Sequence, residues 1–194
     1  LQQLQNNGSI KSFSIFNVTD YVTQIGTTSL PPDVHVYLGD VKNMYTNIEH
    51  TNLLKVIDWV IEQFMEQFPQ MNIFVPNAKT KPVCWDGSQT KGMLGHTIPF
   101  DDLRNILPFD VNNSIFALGD TLFRQTLGIP MGSPCSPAFA VAVCMKAEHD
   151  FCVANPSAPF IKGFRYIDDL LMFLTAPCDA FGDMYPAPLE IECE

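Results

Sequence analysis

The strongest structural signal in this sequence is one apolar stripe. Between Thr51 and Phe68, apolar side chains recur every three or four residues, and Pro69 closes the run. The apolar positions are Leu53, Leu54, Ile57, Val60, Ile61, Phe64, Met65 and Phe68. This spacing predicts an amphipathic helix with one broad face packed against a partner surface. Because residues 34–40 alternate as a strand does, immediately before this helix, we expect an α+β protein.

Further patterns predict the other elements. Ser136 followed by Pro137 indicates the N-cap and the first residue of a helix over residues 138–152. Gly119 with Asp120 indicates the turn of a β-hairpin over residues 114–126. The remaining expected elements are short helices at residues 18–26 and 101–107, a short hairpin around Asp86 and Gly87, and a hairpin over residues 163–174 with its turn at 167–169.

The composition excludes several classes of protein. The 194 residues are 46 % hydrophobic and 16 % charged, and no apolar run approaches the roughly 18 residues that a membrane-spanning helix needs. The six cysteines form no C-x-x-C pair, and the first residues lack the features of a signal peptide. We therefore expect an intracellular protein, nuclear or cytoplasmic, that is not secreted and contacts no membrane. Taken alone, the net charge of −10 argues against a surface that binds phosphate backbones.

Three carboxylates lie at the ends of predicted strands. Asp40 ends the first strand, and Asp168 and Asp169 occupy the turn of the last hairpin. If the three side chains meet, their like charges resist joint ionisation unless a cation neutralises them. Hard oxygen ligands of this kind select Mg²⁺ or Mn²⁺, and a pair of such ions can catalyse phosphoryl displacement. The alternative is that Asp168 and Asp169 form a solvated turn without a catalytic role, since aspartate favours turns.

Three segments, in this order along the chain, carry a family resemblance. Residues 40–48 read D-V-K-N-M-Y-T-N-I, residues 125–137 read Q-T-L-G-I-P-M-G-S-P-C-S-P, and residues 164–171 read F-R-Y-I-D-D-L-L. Together they resemble motifs A, B and C of a reverse transcriptase palm domain. The first two segments are most similar to those of Penelope-like retroelement reverse transcriptases.

The resemblance implies a polymerase palm, a split βαβ fold with an antiparallel sheet and two helices on one face. Residues 1–33 would lead in from the junction of fingers and palm, and residues 34–69 would be the first palm part with motif A. Residues 70–112 would be an insertion on the fingers side, and residues 113–194 the second palm part with motifs B and C. Most of the fingers and the whole thumb of the same polypeptide would lie outside these residues, so we expect this fragment alone to be inactive.

The resemblance also implies roles for single residues. Asp40, Asp168 and Asp169 would be catalytic and would hold two Mg²⁺ ions, or Mn²⁺ in their place, together with the backbone carbonyl of Val41. Tyr45 would exclude a 2′-hydroxyl and so favour deoxynucleotides. The residues at the incoming nucleotide would be Tyr45, Gln125 and Gly128. The residues at the template and primer would be Pro130, Met131, Gly132, Ser133, Pro134 and Tyr166.

The implied function is RNA-directed DNA synthesis. A primer 3′-hydroxyl would attack the α-phosphate of a deoxynucleoside triphosphate (dNTP) on an RNA template, and pyrophosphate would leave. One alternative is a viral RNA-dependent RNA polymerase with the same palm, which Tyr45 and the Y-I-D-D turn of residues 166–169 disfavour. The other is a catalytically inactive retroelement remnant, or a domesticated palm that acts as a binding module.

Overall fold

The structure is a mixed α+β fold built on antiparallel sheets. The computed structural model describes residues 1–69, 71–78, 83–87, 90–156, 160–175, 181–185, 187 and 189–193. The helices of these residues are α1 (Gln2–Asn6), α2 (Val18–Gly26), α3 (Met44–Asn47), α4 (His50–Gln67), α5 (Leu103–Asn112) and α6 (Ser136–Ala154). The strands are β1 (His35–Lys42), β2 (Asn72–Pro76), β3 (Cys84–Trp85), β4 (Gly95–Pro99), β5 (Ile115–Leu118), β6 (Thr121–Arg124), β7 (Phe160–Tyr166), β8 (Asp169–Leu174) and β9 (Glu190–Cys193).

The largest sheet brings the two acidic segments together. Its strand order is β7-β8-β1-β9, and every neighbouring pair is antiparallel. The register of β1 with β8 sets Asp40 directly opposite Asp169, and the register of β1 with β9 sets Asp40 opposite Glu192. Alternation in the sequence predicts β1 and the β7–β8 hairpin. It does not predict β9, because this strand has only four residues and pairs with an edge of β1 that is distant in sequence.

The inner face of this sheet packs on the two long helices. Leu170, Met172 and Leu174 of β8 are buried there in one core with residues of α4 and α6. Helix α4 buries four of the eight positions of the predicted stripe and leaves the other four half-buried, and it also buries Val56, which the predicted stripe does not include. Helix α6 is buried at the consecutive positions 142–145, so more than one side of this helix faces the core.

The outer face of the same sheet is partly open. Tyr21 of α2 packs edge-on against Phe164 of β7, with ring centroids 5.1 Å apart. Farther along this face, Val36 and Leu38 of β1 are 55 % and 58 % exposed. Asp40 comes next on this face, since side chains two positions apart on a strand point the same way. The acidic end of β1 therefore lies on the accessible side of the sheet.

Two of the local predictions are wrong, and a third has the right element with the wrong bounds. Ser136 does not cap α6, because it is already helical and its hydroxyl donates to the carbonyl of Pro130 at 2.7 Å. The helix predicted over residues 101–107 begins as a 3₁₀ turn and continues to Asn112. No hairpin turns at Asp86, because β3 and β4 each pair with β2, which lies between them.

The other local predictions are confirmed. Helix α2 covers residues 18–26, and β5 and β6 form the predicted hairpin with Gly119 at its turn in the left-handed region (φ 60°). Helix α4 lies within one residue of its predicted bounds. Within the described ranges, no helix combines the length and the apolar character needed to cross a membrane.

Candidate active site

The three predicted acids meet at one place. Asp40 and Asp169 are cross-strand partners, and Asp168 lies in the turn that joins β7 to β8. One carboxylate oxygen from each of the three side chains lies within 4.8 Å of the others. The amide of Val41 donates to the carbonyl of Asp168 at 3.0 Å, which ties the turn to β1. Three converging carboxylates are the hard oxygen donors that Mg²⁺ and Mn²⁺ prefer, so these residues fit a divalent cation.

The surroundings of Asp40 disfavour ionisation of its carboxyl. Its pKa is raised, first by partial burial and then by the nearby charges of Asp168, Asp169 and Glu192. Lys42 opposes this shift and forms an ion pair of 2.7 Å with Glu192. A cation bound between the three aspartates would relieve their repulsion.

Tyr45 lies beside the acidic cluster on the short helix α3. The chain turns sharply out of β1 through Asn43, which has φ 54°. The pKa of Tyr45 is raised, chiefly because the side chain is partly buried and also because the charge of Asp168 is close. The structure thus brings Tyr45 near one of the three acids, and its role towards a sugar stays a prediction.

The glycine-rich loop after β6 docks on α3. The amide of Ile129 donates to the carbonyl of Tyr45 at 2.7 Å, and the amide of Gly128 donates to the carbonyl of Ile48 at 2.9 Å. Gly128 has φ 73°, and a Cβ at this position would lie 2.7 Å from the backbone oxygens of both Tyr45 and Thr46. Gly128 therefore allows the backbone of the loop to lie close to the backbone of α3 in the same chain. A nucleotide contact at Gly128 stays a prediction.

The other predicted contact residues lie on the loop surface and on β7. The side-chain amide of Gln125 donates to the carbonyl of Leu127 at 2.9 Å, so it is engaged within the loop. Met131 is 76 % exposed, and Tyr166 is 53 % exposed on β7, opposite Asp169. Of the remaining loop residues, Gly132 and Pro134 are exposed, and Pro130 and Ser133 are half-buried.

Several charged residues around the site are not predicted from the sequence. Lys42 and Glu192 flank Asp40 on the sheet, and only the pairing of β1 with β9 brings them together. Arg165 and Glu148 form a fully buried ion pair directly behind the turn that carries Asp168. Alternation places Arg165 on the opposite strand face from Tyr166, but no sequence pattern identifies its partner on α6.

Solved telomerases resemble this fold. Telomerase from Candida albicans, in complex with a TWJ fragment of telomeric RNA, covers 87 % of this chain at 14 % identity with a TM-score of 0.57. Telomerase from Candida tropicalis with such a fragment covers 90 % at 15 % identity and a TM-score of 0.57. Apo telomerase from Candida tropicalis, truncated from its C-terminal domain, covers 87 % at 14 % identity and a TM-score of 0.50.

These likenesses concern part of a larger protein. The chain spans 28 % of the length of the first two telomerase chains and 31 % of the third. No protein-family profile and no curated protein matches the sequence. The chain therefore shares its fold with a portion of telomerase, which is a reverse-transcriptase-related enzyme.

Proposed function

We propose that this chain is the palm of an RNA-directed DNA polymerase. The observation that carries the proposal is the convergence of Asp40, Asp168 and Asp169 at the accessible end of β1. These are the three acids that the motif resemblance to reverse transcriptases selects. The fold shared with part of telomerase supports the same class of enzyme.

The three carboxylates would hold the catalytic cations. Two bound divalent ions would lower the pKa of the primer 3′-hydroxyl and stabilise charge on the leaving pyrophosphate. The chain itself fixes the acids in advance, through the pairing of Asp40 with Asp169 and the hydrogen bond from Val41 to Asp168. Because these groups are already in place, little reorganisation is needed when charge develops during the reaction.

Tyr45 would select the sugar of the incoming nucleotide. Its ring lies close enough to Asp168 for the charge to raise its pKa. The hydrogen bond from Ile129 to the carbonyl of Tyr45 holds this residue from the other side. The side chain of Tyr45 is half-buried and packs against the main core, so its ring would exclude a 2′-hydroxyl by contact.

The remaining assignments extend the same proposal. Exposed Met131 and Tyr166 offer apolar surface to a template and a primer. Residues 34–69 and 113–194 would be the two palm parts around the separate β3-β2-β4 sheet of residues 70–112. Descent from a Penelope-like retroelement rests on the sequence motifs alone.

Primer extension tests the proposal. The full-length protein is supplied with an RNA template, a DNA primer, dNTPs and Mg²⁺, and DNA synthesis is measured. We expect Asp40→Asn and Asp168→Asn each to abolish extension, because each removes a charged metal ligand. Asp33→Asn is the matched control, since this exposed acid precedes β1 and lies outside the cluster. Full activity in either cluster variant would contradict the metal-ligand assignment.

Two other outcomes identify the rival functions. Preferential incorporation of ribonucleotides on the RNA template would indicate an RNA-dependent RNA polymerase. Binding of the primer–template without synthesis, in a protein with all three acids intact, would indicate a palm that acts only as a binding module.

A further inference from the structure

The turn that presents the acids contains a strained residue. Ile167, which directly precedes Asp168, has φ 58°. A left-handed backbone conformation is unfavourable for residues other than glycine, asparagine and aspartate, and it is least favourable for a β-branched residue such as isoleucine. Such a conformation persists only where the surrounding structure holds it. The chain must therefore supply interactions that keep Ile167 in place.

Arg165 supplies one of these interactions. Its first terminal nitrogen (Nη1) donates to the carbonyl of Ile167 at 2.7 Å, across the turn. Its second terminal nitrogen (Nη2) donates to the hydroxyl of Ser14 at 2.5 Å, and its Nε donates to the carboxylate of Glu148 at 2.5 Å. The guanidinium is 0 % exposed, so each of these contacts is shielded from water. The planar fork of arginine can reach three separate acceptors, which an ammonium group cannot do in the same geometry.

Glu148 is itself held by groups from distant parts of the chain. Its second oxygen accepts from the hydroxyl of Ser12 at 2.6 Å and from the amide of Phe13 at 2.9 Å. Its first oxygen accepts from the hydroxyl of Tyr185 at 2.8 Å as well as from Arg165. Burial by itself would lower the pKa of Arg165, but the charge of Glu148 raises it, so the guanidinium stays charged.

The segment before α2 completes this arrangement. The amide of Arg165 donates to the carbonyl of Phe13 at 2.6 Å, and the amide of Ile15 donates to the carbonyl of Arg165 at 2.9 Å. Residues 13–15 thus pair in parallel with β7 at this one point. The backbone and the side chain of Arg165 are therefore both held in place on β7, just N-terminal to the turn.

We propose that Arg165 is a positioning residue for the acidic cluster. Held by Glu148 and Ser14, its guanidinium keeps the carbonyl of Ile167 in place, and this sets the turn so that Asp168 and Asp169 face Asp40. The metal-binding part of this inference rests on the proposed function, whereas the part that concerns the turn does not. A purely structural ion pair would need no contact with the turn, and such pairs are often replaceable by apolar residues without loss of stability.

Hydrogen exchange measures the position of the turn directly. The amide of Val41 donates to the carbonyl of Asp168, so its exchange rate reports how often the turn leaves β1. The 194-residue chain is compared as wild type, Arg165→Lys and Tyr185→Phe. Arg165→Lys keeps a positive charge for Glu148 but loses the fork. Tyr185→Phe is the matched control, because it removes one buried hydrogen bond to Glu148 and leaves the contact with Ile167.

We expect exchange at Val41 to become about tenfold faster in Arg165→Lys than in Tyr185→Phe, after correction for global stability, since one hydrogen bond to a charged group is lost. The affinity of the chain for Mn²⁺, measured by titration, should fall in the same variant and not in the control. Adding Ile167→Gly to Arg165→Lys should reduce both effects, because glycine adopts a positive φ without support. If Arg165→Lys does not fold, Ser14→Ala takes its place, since it removes only one anchor of the guanidinium.

Equal exchange rates at Val41 in Arg165→Lys and Tyr185→Phe would overturn the proposal. So would an Arg165→Lys variant that loses global stability while the corrected exchange rate at Val41 stays that of the wild type. If the wild-type chain binds Mn²⁺ no better than Asp168→Asn does, the metal site of the proposed function fails. The exchange rate of Val41 would still decide the role of Arg165 in that case.

Discussion

Gly128 offers a sharp test of how the loop and α3 fit together. The residue has φ 73°, and an added Cβ would lie 2.7 Å from the carbonyl oxygens of Tyr45 and Thr46. Both obstacles are backbone atoms, which cannot rotate away as a side chain can. Gly128→Ala therefore forces the loop and α3 apart, at the helix that carries Tyr45.

The expected loss of stability has two parts. The left-handed conformation costs an alanine about 1–2 kcal/mol relative to glycine. The forced separation of packed backbone costs a further amount of about 1–3 kcal/mol, as in other overpacked sites. We expect Gly128→Ala to lower the free energy of unfolding by about 2–5 kcal/mol in total.

Urea unfolding of the chain measures this loss, with Gly119→Ala as the matched control. Gly119 has φ 60°, and no atom lies within 4 Å of its would-be Cβ, so alanine there meets only the conformational cost of about 1–2 kcal/mol. The difference between the two variants isolates the clash, provided that the dependence of the unfolding free energy on urea is unchanged. Equal losses in the two variants would refute the reasoning, because the contact of Gly128 with α3 would then cost nothing to disturb.

The geometry of the site also predicts the effects of other substitutions and of pH. In the full-length protein, Tyr45→Val should raise the use of ribonucleotides relative to deoxynucleotides by about 10- to 100-fold in primer extension, and an unchanged ratio would assign sugar selection to another residue. Because the pKa of Asp40 is raised, Mn²⁺ binding by the chain should weaken as the pH falls through a range above that of an ordinary carboxyl. Without metal, the folded carboxyl of Asp40 binds its proton more tightly than the unfolded one does. The contribution of Asp40 to the free energy of unfolding is therefore lost as the pH rises through this range. Lys42→Gln should move the midpoint of Mn²⁺ binding to higher pH, because Lys42 lowers the pKa of Asp40, and an unmoved midpoint would contradict this. Glu148→Ala should lower the free energy of unfolding by about 3–5 kcal/mol, because it leaves the buried charge of Arg165 without its carboxylate, and a loss below about 1 kcal/mol in urea unfolding would contradict the burial of the pair.

Local patterns predict the elements on which the acids lie. Alternation predicts β1 and the β7–β8 hairpin, and the spacing of apolar residues predicts α4. These predictions succeed because each pattern records which side of one element faces the core. The likeness of the motifs then groups Asp40 with Asp168 and Asp169, and the structure brings their carboxylates together.

Local rules fail where a distant part of the chain competes for the same group. Ser136 has the sequence of an N-cap, but its hydroxyl instead binds the carbonyl of Pro130 in the preceding loop. Gly128 is recognisable in the sequence as a loop glycine and its φ of 73° favours glycine, but the sequence does not show that the backbone of α3 leaves no room for a Cβ at this position. Strand β9 forms because the free edge of β1 is available to pair with it.

The amino-acid sequence is enough to predict β1, α2, α4, α6 and the two hairpins β5–β6 and β7–β8, and to identify the residues that resemble reverse transcriptase motifs. It does not predict β2, β4 or β9. The three-dimensional fold is needed to show that Arg165 contacts Glu148 behind the turn and that Lys42 and Glu192 flank Asp40. Periodicity reports the environment of one element, whereas a buried ion pair or a cross-strand neighbour depends on which elements pack together. That choice is made by the whole core, and no single segment of the sequence records it.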